Sequence, residues 1–216
     1  MNQRSLLVVV MFTLLIPLDA RPANGIDSLF SHPVSITDPG KEFNAVTDDL
    51  ANNQVIRGRF SQERRFKVLK RPLLSEGYYL FASGKGLYWQ IERPLQVSYV
   101  ITEDSITEYN QDQKNANVQG VKWTKFIAAI VSGNITSLAD QFNIYFLSHA
   151  EDWSIGLVPQ GGPLADHLKL IRLTGVRYVE EITIEAENGD TTKLRLSGIE
   201  TKPDFLTDEE TAYFDP

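Results

Sequence analysis

The feature that most constrains this fold is a succession of short segments in which apolar and polar residues alternate. The first begins at Val55, after which Ile56, Gly58 and Phe60 fall on one side of an extended chain. Successive side chains of a strand point to opposite faces, so this alternation predicts strands with one buried face. Turn residues such as Ser83-Gly84-Lys85-Gly86 separate the segments at short intervals and predict hairpins. The pattern therefore predicts an antiparallel sheet, arranged as a sandwich or a barrel.

Ten strands are predicted in two runs, with helices before the first run and between the two. Helical spacing of apolar residues predicts a helix over roughly 40–53 and a second one that contains Trp123 to Val131, and Thr136 is predicted to cap a short helix through Leu138 to Phe142. The predicted strands are Val55 to Phe66, Leu73 to Ala82, Leu87 to Glu92, Val97 to Thr102, Ser105 to Tyr109, Ile144 to His149, Trp153 to Pro159, Leu168 to Thr174, Val179 to Glu185 and Thr192 to Ile199.

The N-terminus predicts secretion. Arg4 precedes an apolar run from Leu6 to Leu18, and Ala20 follows as a small residue suited to cleavage, with Ala23 as the next choice. The run is shorter than the roughly 20 apolar residues that span a bilayer. We interpret residues 1–20 as a signal peptide and expect a periplasmic protein; an uncleaved N-terminal anchor is the alternative.

The rest of the chain predicts one domain with two less regular ends. Residues 21–40 are rich in turn formers and are predicted to be an irregular lead-in, and residues 203–216 are predicted to be an acidic C-terminal tail. The residues between them, 41–202, are expected to form the barrel domain. No internal boundary is visible in this stretch.

Charge and cysteine content exclude several classes of function. The chain carries 21 basic and 28 acidic residues, a net charge of -7, which argues against nucleic acid as the main partner. It contains no cysteine, so disulfides, thiolate nucleophiles and cysteine-based metal sites are excluded.

The sequence lacks recognisable catalytic motifs. Its three histidines are far apart at His32, His149 and His167, and it has neither a G-x-S-x-G elbow nor an H-E-x-x-H helix. Adjacent acidic residues such as Glu180-Glu181 point to opposite faces of a strand, so they do not form a facing pair. We therefore expect no catalytic residue, no metal and no cofactor; a hydrolase built from carboxylates distant in sequence is a minor alternative.

Two sets of residues are candidates for function. The first is a basic run in a net-acidic chain, which is either a solvated strand face or a docking patch for an anionic lipid headgroup or an acidic partner. It comprises Arg57, Arg59, Arg64, Arg65, Lys67, Lys70 and Arg71. The second is an apolar set at alternating strand positions, which is either ordinary core or the lining of a cavity. It comprises Phe60, Tyr79, Phe81, Leu87, Trp89, Tyr99 and Ile101.

These segments together resemble a known family. The order and spacing of several short motifs over roughly residues 41–200 are similar to those of LolA-type outer-membrane lipoprotein carriers. The motifs are Arg59-Phe60-Ser61-Gln62, Ser75-Glu76-Gly77, Leu80-Phe81, Gly86-Leu87-Tyr88-Trp89 with Pro94, Trp123-Thr124-Lys125-Phe126-Ile127 and Phe142-Asn143-Ile144.

The resemblance implies a mainly β (α+β) fold, an unclosed antiparallel β-barrel of about eleven strands with a lid of helices over an apolar cavity. More than eight strands leave room for a ligand inside such a barrel. With strand parity, it implies that the apolar set lines the cavity, and that Phe126, Ile127 and Ile130 form the apolar side of the lid. Arg57, Arg59, Arg64 and Arg65 are the candidate docking residues.

The implied function is that of a monomeric periplasmic carrier. It would bind acyl chains of lipoproteins or lipids and move them from an inner-membrane donor to an outer-membrane acceptor. One departure from the family leaves the cargo open: many members carry Arg-Pro in the hairpin where this chain has Ser83-Gly84. The alternatives are a glycolipid or lipid-linked product export factor and a periplasmic sensor or adaptor on the same scaffold.

Overall fold

The computed structural model describes residues 28–102, 105–110, 113–116 and 122–214. The predicted signal peptide lies outside the described residues. Eleven strands form a single antiparallel sheet in the order β6-β5-β4-β3-β2-β1-β11-β10-β9-β8-β7. Their bounds are β1 Val55–Arg65, β2 Leu73–Ala82, β3 Gly86–Arg93, β4 Val97–Ile101, β5 Ile106–Asn110, β6 Gln113–Ala116, β7 Phe142–Ser148, β8 Trp153–Pro159, β9 Leu168–Gly175, β10 Val179–Ala186 and β11 Thr191–Glu200.

The topology confirms a mainly β, unclosed antiparallel sheet. Strand β1 pairs with both β2 and β11, so the two halves of the chain join at the centre of the sheet. Strands β6 and β7, which follow each other in the chain, form its two edges. The ten strands predicted from alternation are all present, and β6 is an eleventh that the alternation did not predict.

Glycine sets the geometry of the hairpin between β2 and β3. Gly84 and Gly86 have φ angles of 76° and 115°, in the left-handed region that favours glycine. A Cβ atom on Gly86 would lie 2.1 Å from the carbonyl oxygen of Ile101 on β4. A side chain at this position would therefore push β3 and β4 apart.

Short helices accompany the sheet. They are α1 Lys41–Ala51, α2 Lys122–Val131, a 3₁₀ turn Ile135–Leu138, α3 Gly162–Ala165 and α4 Asp208–Ala212. The helix predicted through Phe142 is only this 3₁₀ turn, because Phe142 already begins β7. Within the described residues, no helix combines the length and apolar character needed to cross a bilayer.

The first two helices pack on the concave face of the sheet. Phe43 and Leu50 of α1 and Ile130 of α2 belong to the main apolar cluster, together with inward-facing residues of both halves of the sheet. The end of α2 contacts the end of α1, since a Cβ atom on Gly133 would lie 2.5 Å from the Cβ of Leu50. The helices and the sheet thus share one core.

The N-terminal lead-in covers one edge of the sheet. Val34 donates its backbone N–H to Ile144 (2.8 Å), and Phe146 donates to His32 (3.0 Å), so the lead-in pairs with edge strand β7. Unpaired edge groups invite association with other chains. The described part of the predicted lead-in therefore shields β7.

The C-terminal residues form an ordered segment on the convex face, although they were predicted to be a tail. Helix α4 begins with a capping box in which Thr207 and Glu210 exchange hydrogen bonds. Tyr213 stacks on Tyr88 of β3 with ring centroids 4.7 Å apart. A second apolar cluster under this segment contains Val55, Leu80, Tyr88 and Val100.

Arg57, one of the predicted docking residues, holds this C-terminal segment. Its guanidinium donates to both carboxylate oxygens of Glu210, at 2.5 and 2.8 Å. It also donates to the carbonyl oxygens of Pro203 (2.7 Å) and Phe205 (2.8 Å). These bonds occupy the group within its own chain, and only 10% of the side chain is exposed.

We predict that Glu210→Gln destabilises the protein by about 2 kcal/mol at neutral pH, because it leaves a mostly buried guanidinium with a neutral partner. The hydrogen bond from Arg57 holds the pKa of Glu210 below its ordinary value of 4.5. Stabilisation by the pair is therefore present above that value and is lost as the pH falls through the lowered pKa.

Denaturant unfolding at several pH values measures this effect. The stability difference between the native protein and Glu210→Gln should close on acidification. Asp208→Asn, which removes an equal charge from the same helix, serves as the control and should have little effect. A gap between native protein and Glu210→Gln that does not change with pH would refute the ion-pair account.

Candidate functional site

The candidate site is the concave face of the sheet. Strand register places Tyr79 of β2, Trp89 of β3 and Tyr99 of β4 side by side. Phe81, Leu87 and Ile101 form the next such row on the same strands. The structure thus brings these predicted cavity residues together on one face, and Phe60 joins them from β1.

Aromatic stacking organises this surface. The ring of Phe60 stacks on Trp89 with centroids 3.9 Å apart, and Tyr79 stacks on the same indole at 6.0 Å. Two glycines make room for these rings. A Cβ atom on Gly58 would lie 2.6 Å from the Tyr79 ring, and one on Gly77 would lie 3.0 Å from the Phe60 ring.

The seven predicted cavity residues divide into two groups by exposure. Phe60, Tyr79, Leu87, Trp89 and Ile101 are at most 4% exposed, so their side chains are covered by other protein atoms. Phe81 and Tyr99 are only partly buried and pack against this cluster from its margin. We name the five buried residues the floor.

The predicted lid residues divide in the same way. Ile130 of α2 is fully buried, whereas Phe126 and Ile127 are partly exposed. Phe126 meets Phe142 of β7 edge to face, with centroids 5.2 Å apart. Helix α2 therefore contacts the floor's cluster at its buried C-terminal end, and the apolar side chains of Phe126 and Ile127 in its middle remain partly accessible.

Partly exposed apolar side chains extend around the cluster well beyond the predicted set. They come from helix α1 and from strands of both halves of the sheet, and we name them, with Phe81, Tyr99, Phe126 and Ile127, the rim. The members that the sequence reasoning missed are Val46, Ile91, Phe146, Ile184 and Ile199. Strand parity carried the signal for two of them, because Phe146 lies two residues from buried Ile144 and Ile184 lies two residues from buried Ile182, so each shares a face with its buried neighbour.

Two phenols on this face, those of Tyr79 and Tyr99, are held neutral. Burial, together with the charge and hydrogen bond of the neighbouring Glu108 carboxylate, raises the pKa of Tyr99 to about 12. Burial also raises the pKa of Tyr79. Both phenols therefore remain uncharged at neutral pH.

The remaining predicted docking residues lie outside this face or at its end. Arg59 pairs with Glu92 at 2.5 Å, and Arg65 pairs with Glu63. Arg64 lies 5.1 Å from the centroid of the Phe66 ring. All three arginines are exposed, unlike Arg57.

A separate polar groove of about 560 Å³ lies where β1 and β3 end and β2 begins. It is lined by Ser61, Gln62, Glu63, Leu74, Ser75, Glu76, Arg93, Pro94, Lys193 and Arg195. Its cations are matched by carboxylates, as in the pair between Arg93 and Glu76. In the described part of the chain, no group of three His, Cys, Asp or Glu residues could hold a metal ion.

The single open sheet with apolar helices on its concave face is the architecture that the sequence resemblance implied. No protein-family model matches the sequence, and no curated protein matches it.

Several solved structures are similar to this chain at low sequence identity. A DUF1329 family protein from Desulfovibrio piger has a TM-score of 0.47 at 12% identity, over 80% of this chain and 94% of that one. A LolA superfamily protein from Nitrosomonas europaea has a TM-score of 0.47 at 10% identity, over 78% and 94% of the two chains. The MucA/MucB complex of Pseudomonas aeruginosa has a TM-score of 0.48 at 12% identity, over 78% and 60%.

The different burial of floor and rim residues predicts that truncating their side chains lowers the stability of the protein by unequal amounts. We expect Leu87→Ala to destabilise the protein by about 2–5 kcal/mol, because it opens a cavity in packed core. Phe81→Ala should cost clearly less, since its ring is already partly exposed. Denaturant unfolding of the two variants measures the difference. Equal losses would show that Phe81 is as tightly packed as the floor.

Proposed function

We propose that this protein is a periplasmic carrier that shelters acyl chains of lipoproteins or lipids between the inner and outer membranes. The observation that carries the proposal is the concave apolar face, which both halves of the sheet build and which, in the described part of the chain, is covered by short helices and not by a second sheet. A second sheet would bury such a face permanently, as in a β-sandwich. Short helices, in contrast, can move away from the face when only a few contacts between helix and sheet are broken.

The energetics of acyl chains require such a surface. Each methylene group transferred out of water is worth about 0.8 kcal/mol, so releasing a 16-carbon chain into water costs on the order of 12 kcal/mol. Lipids therefore do not cross an aqueous compartment unaided at a useful rate. A carrier must cover the chain and still release it, so binding that depends mainly on non-directional apolar contact is suitable.

The rim and the floor have different roles in this proposal. Phe81 and Tyr99 on the sheet, with Phe126 and Ile127 on α2, are already partly accessible and make the first contacts with the chain. Withdrawal of α2 then exposes Phe60, Tyr79, Leu87, Trp89 and Ile101, and the acyl chain replaces the helix as their cover. The two neutral phenols add no charge to this path. The proposal contains no chemical step, because the cargo leaves as it entered.

In this proposal, helix α2 and the acyl chain cover the floor in turn. When no cargo is present, the apolar residues of α2 cover the floor and keep it from water. When cargo is present, the acyl chain supplies equivalent apolar contact. Because one apolar cover exchanges for another, the net free energy of binding remains smaller than the full transfer value, which permits release to an acceptor.

The test is to purify the protein from the periplasm and to identify extractable lipid by mass spectrometry. We expect acyl-bearing molecules, and their headgroups distinguish a lipoprotein cargo from a glycolipid. Phe81→Glu and Ile127→Glu should each lower recovered lipid at least tenfold, because a carboxylate in apolar contact is strongly unfavourable.

Val176→Glu is the matched control, since Val176 is an exposed apolar residue in the β9–β10 turn. It should leave lipid recovery unchanged. Circular dichroism should show that all three variants keep the native β content. Recovery of no lipid from the native protein, under conditions in which an established carrier retains its own, would refute the proposal.

A further inference from the structure

The loop between β1 and β2 combines exposed apolar and cationic side chains. We name residues 64–74 the hairpin tip; its sequence is RRFKVLKRPLL, with five cations and no carboxylate in a chain of net charge -7. Val68 is 88% exposed, Leu74 63% and Leu73 52%, and Leu69 is exposed beside them. Four of the large apolar side chains that are exposed in the described residues thus lie in one short segment.

The cations of the hairpin tip differ from those of the neighbouring strands. On the strands, Arg93 pairs with Glu76, and both Lys193 and Arg195 pair with Glu181. Within the part of the chain that the structure describes, no salt bridge involves the side chains of Arg64, Lys67, Lys70 or Arg71. The hairpin tip is therefore a concentrated positive patch.

The hairpin tip has a defined shape. Lys67 donates its backbone N–H to the Asp190 carboxylate in the β10–β11 turn at 2.9 Å, and Leu69 donates to the carbonyl of Phe66 at 3.0 Å. The ring of Phe66 lies beneath the Arg64 guanidinium. Folding of the hairpin base therefore leaves Val68 and Leu69 in solvent without a cover from their own chain.

We propose that the hairpin tip docks this protein on the surface of an anionic phospholipid bilayer. Cations near such a surface gain from its negative potential, and apolar side chains gain by entering the boundary between headgroups and acyl chains. An acidic protein partner would account for the cations alone. The exposed valine and leucines beside them favour the bilayer.

Docking at this end would place the concave face near the membrane. Strand register pairs Arg64 with Leu73 and Gln62 with Ser75, so Leu73 continues the inward-facing row of β2 that contains Tyr79. Because Leu73 is exposed, the concave face is uncovered at the end of the sheet that carries the hairpin tip. The docking surface is an addition to the carrier function and does not depend on it.

Vesicle co-sedimentation tests the proposal, with the protein purified as the cell processes it. We expect binding to vesicles that contain phosphatidylglycerol and much weaker binding to pure phosphatidylcholine. Lys70→Gln with Arg71→Gln should lower the partition coefficient about thirtyfold, since each cation near the surface contributes about fivefold. Val68→Ser with Leu69→Ser should lower it about tenfold or more through lost apolar burial.

The control is the pair Val176→Ser with Arg177→Gln, an exposed apolar residue and an exposed cation in the β9–β10 turn at the opposite end of the sheet. It should bind like the native protein. Absence of binding to anionic vesicles, or equal binding by all variants, would overturn the proposal. The hairpin tip would then be assigned to the binding of an acidic protein partner. Lipid recovery from the periplasmic protein is a separate readout, so this failure is distinguishable from failure of the carrier proposal.

Insertion can be measured directly because the chain has no cysteine. An environment-sensitive fluorophore on Leu69→Cys should shift to shorter wavelength when anionic vesicles are added. The same label on Val176→Cys should not shift. Matching responses at the two positions would overturn the assignment of the hairpin tip as the inserted element.

Discussion

The structure depends on the burial of one apolar face of a wide sheet that does not close on itself. Eleven strands make a concave surface broader than its own side chains can fill, so the face needs another element to exclude water. Helices α1 and α2 supply it with a few apolar side chains, among them Phe43, Leu50 and Ile130. In the proposed carrier, an acyl chain would meet the same requirement when it takes the place of the helices.

Two segments outside the sheet cover one of its edges and its convex face. The lead-in pairs with edge strand β7, and the C-terminal segment covers the apolar cluster on the convex face. Arg57 joins this segment to the centre of the sheet through Glu210 and two carbonyl groups. The C-terminal segment thus shields the apolar cluster on the convex face from water. In the hairpin tip, by contrast, apolar side chains remain exposed to water.

Local pattern was sufficient to predict most of the fold, because strand alternation and turn residues are properties of neighbouring positions. Strand β6 was not predicted, because residues Gln113 to Ala116 show no alternation of apolar and polar side chains. The role of Arg57 was also beyond prediction, because its partner Glu210 is 153 residues away. The C-terminal helix was missed although its signal was present: Thr207 and Glu210 stand at capping-box spacing, with Tyr213 and Phe214 after them. The acidic residues around them led to the prediction of a tail, although the segment packs on the sheet.

Parity predicted which residues share the concave face, but it could not separate the floor from the rim. Trp89 and Phe81 occupy equivalent alternating positions, yet only Trp89 is fully covered. That difference depends on where α1 and α2 lie, and helix placement is a matter of tertiary packing that single-strand patterns do not contain. The same limit applies to the hairpin tip: its cations were visible in the sequence, but the sequence did not show that Arg64, Lys67, Lys70 and Arg71 have no salt bridge in the described part of the chain.

We propose that an acyl chain occupies the concave face in place of the helices. A lipid with a photoreactive diazirine at the end of its acyl chain tests it most directly, with adducts located by peptide mass spectrometry after irradiation. We expect adducts on peptides that contain Phe60, Tyr79 and Trp89. Adducts confined to the convex face, on residues 203–214, would contradict it.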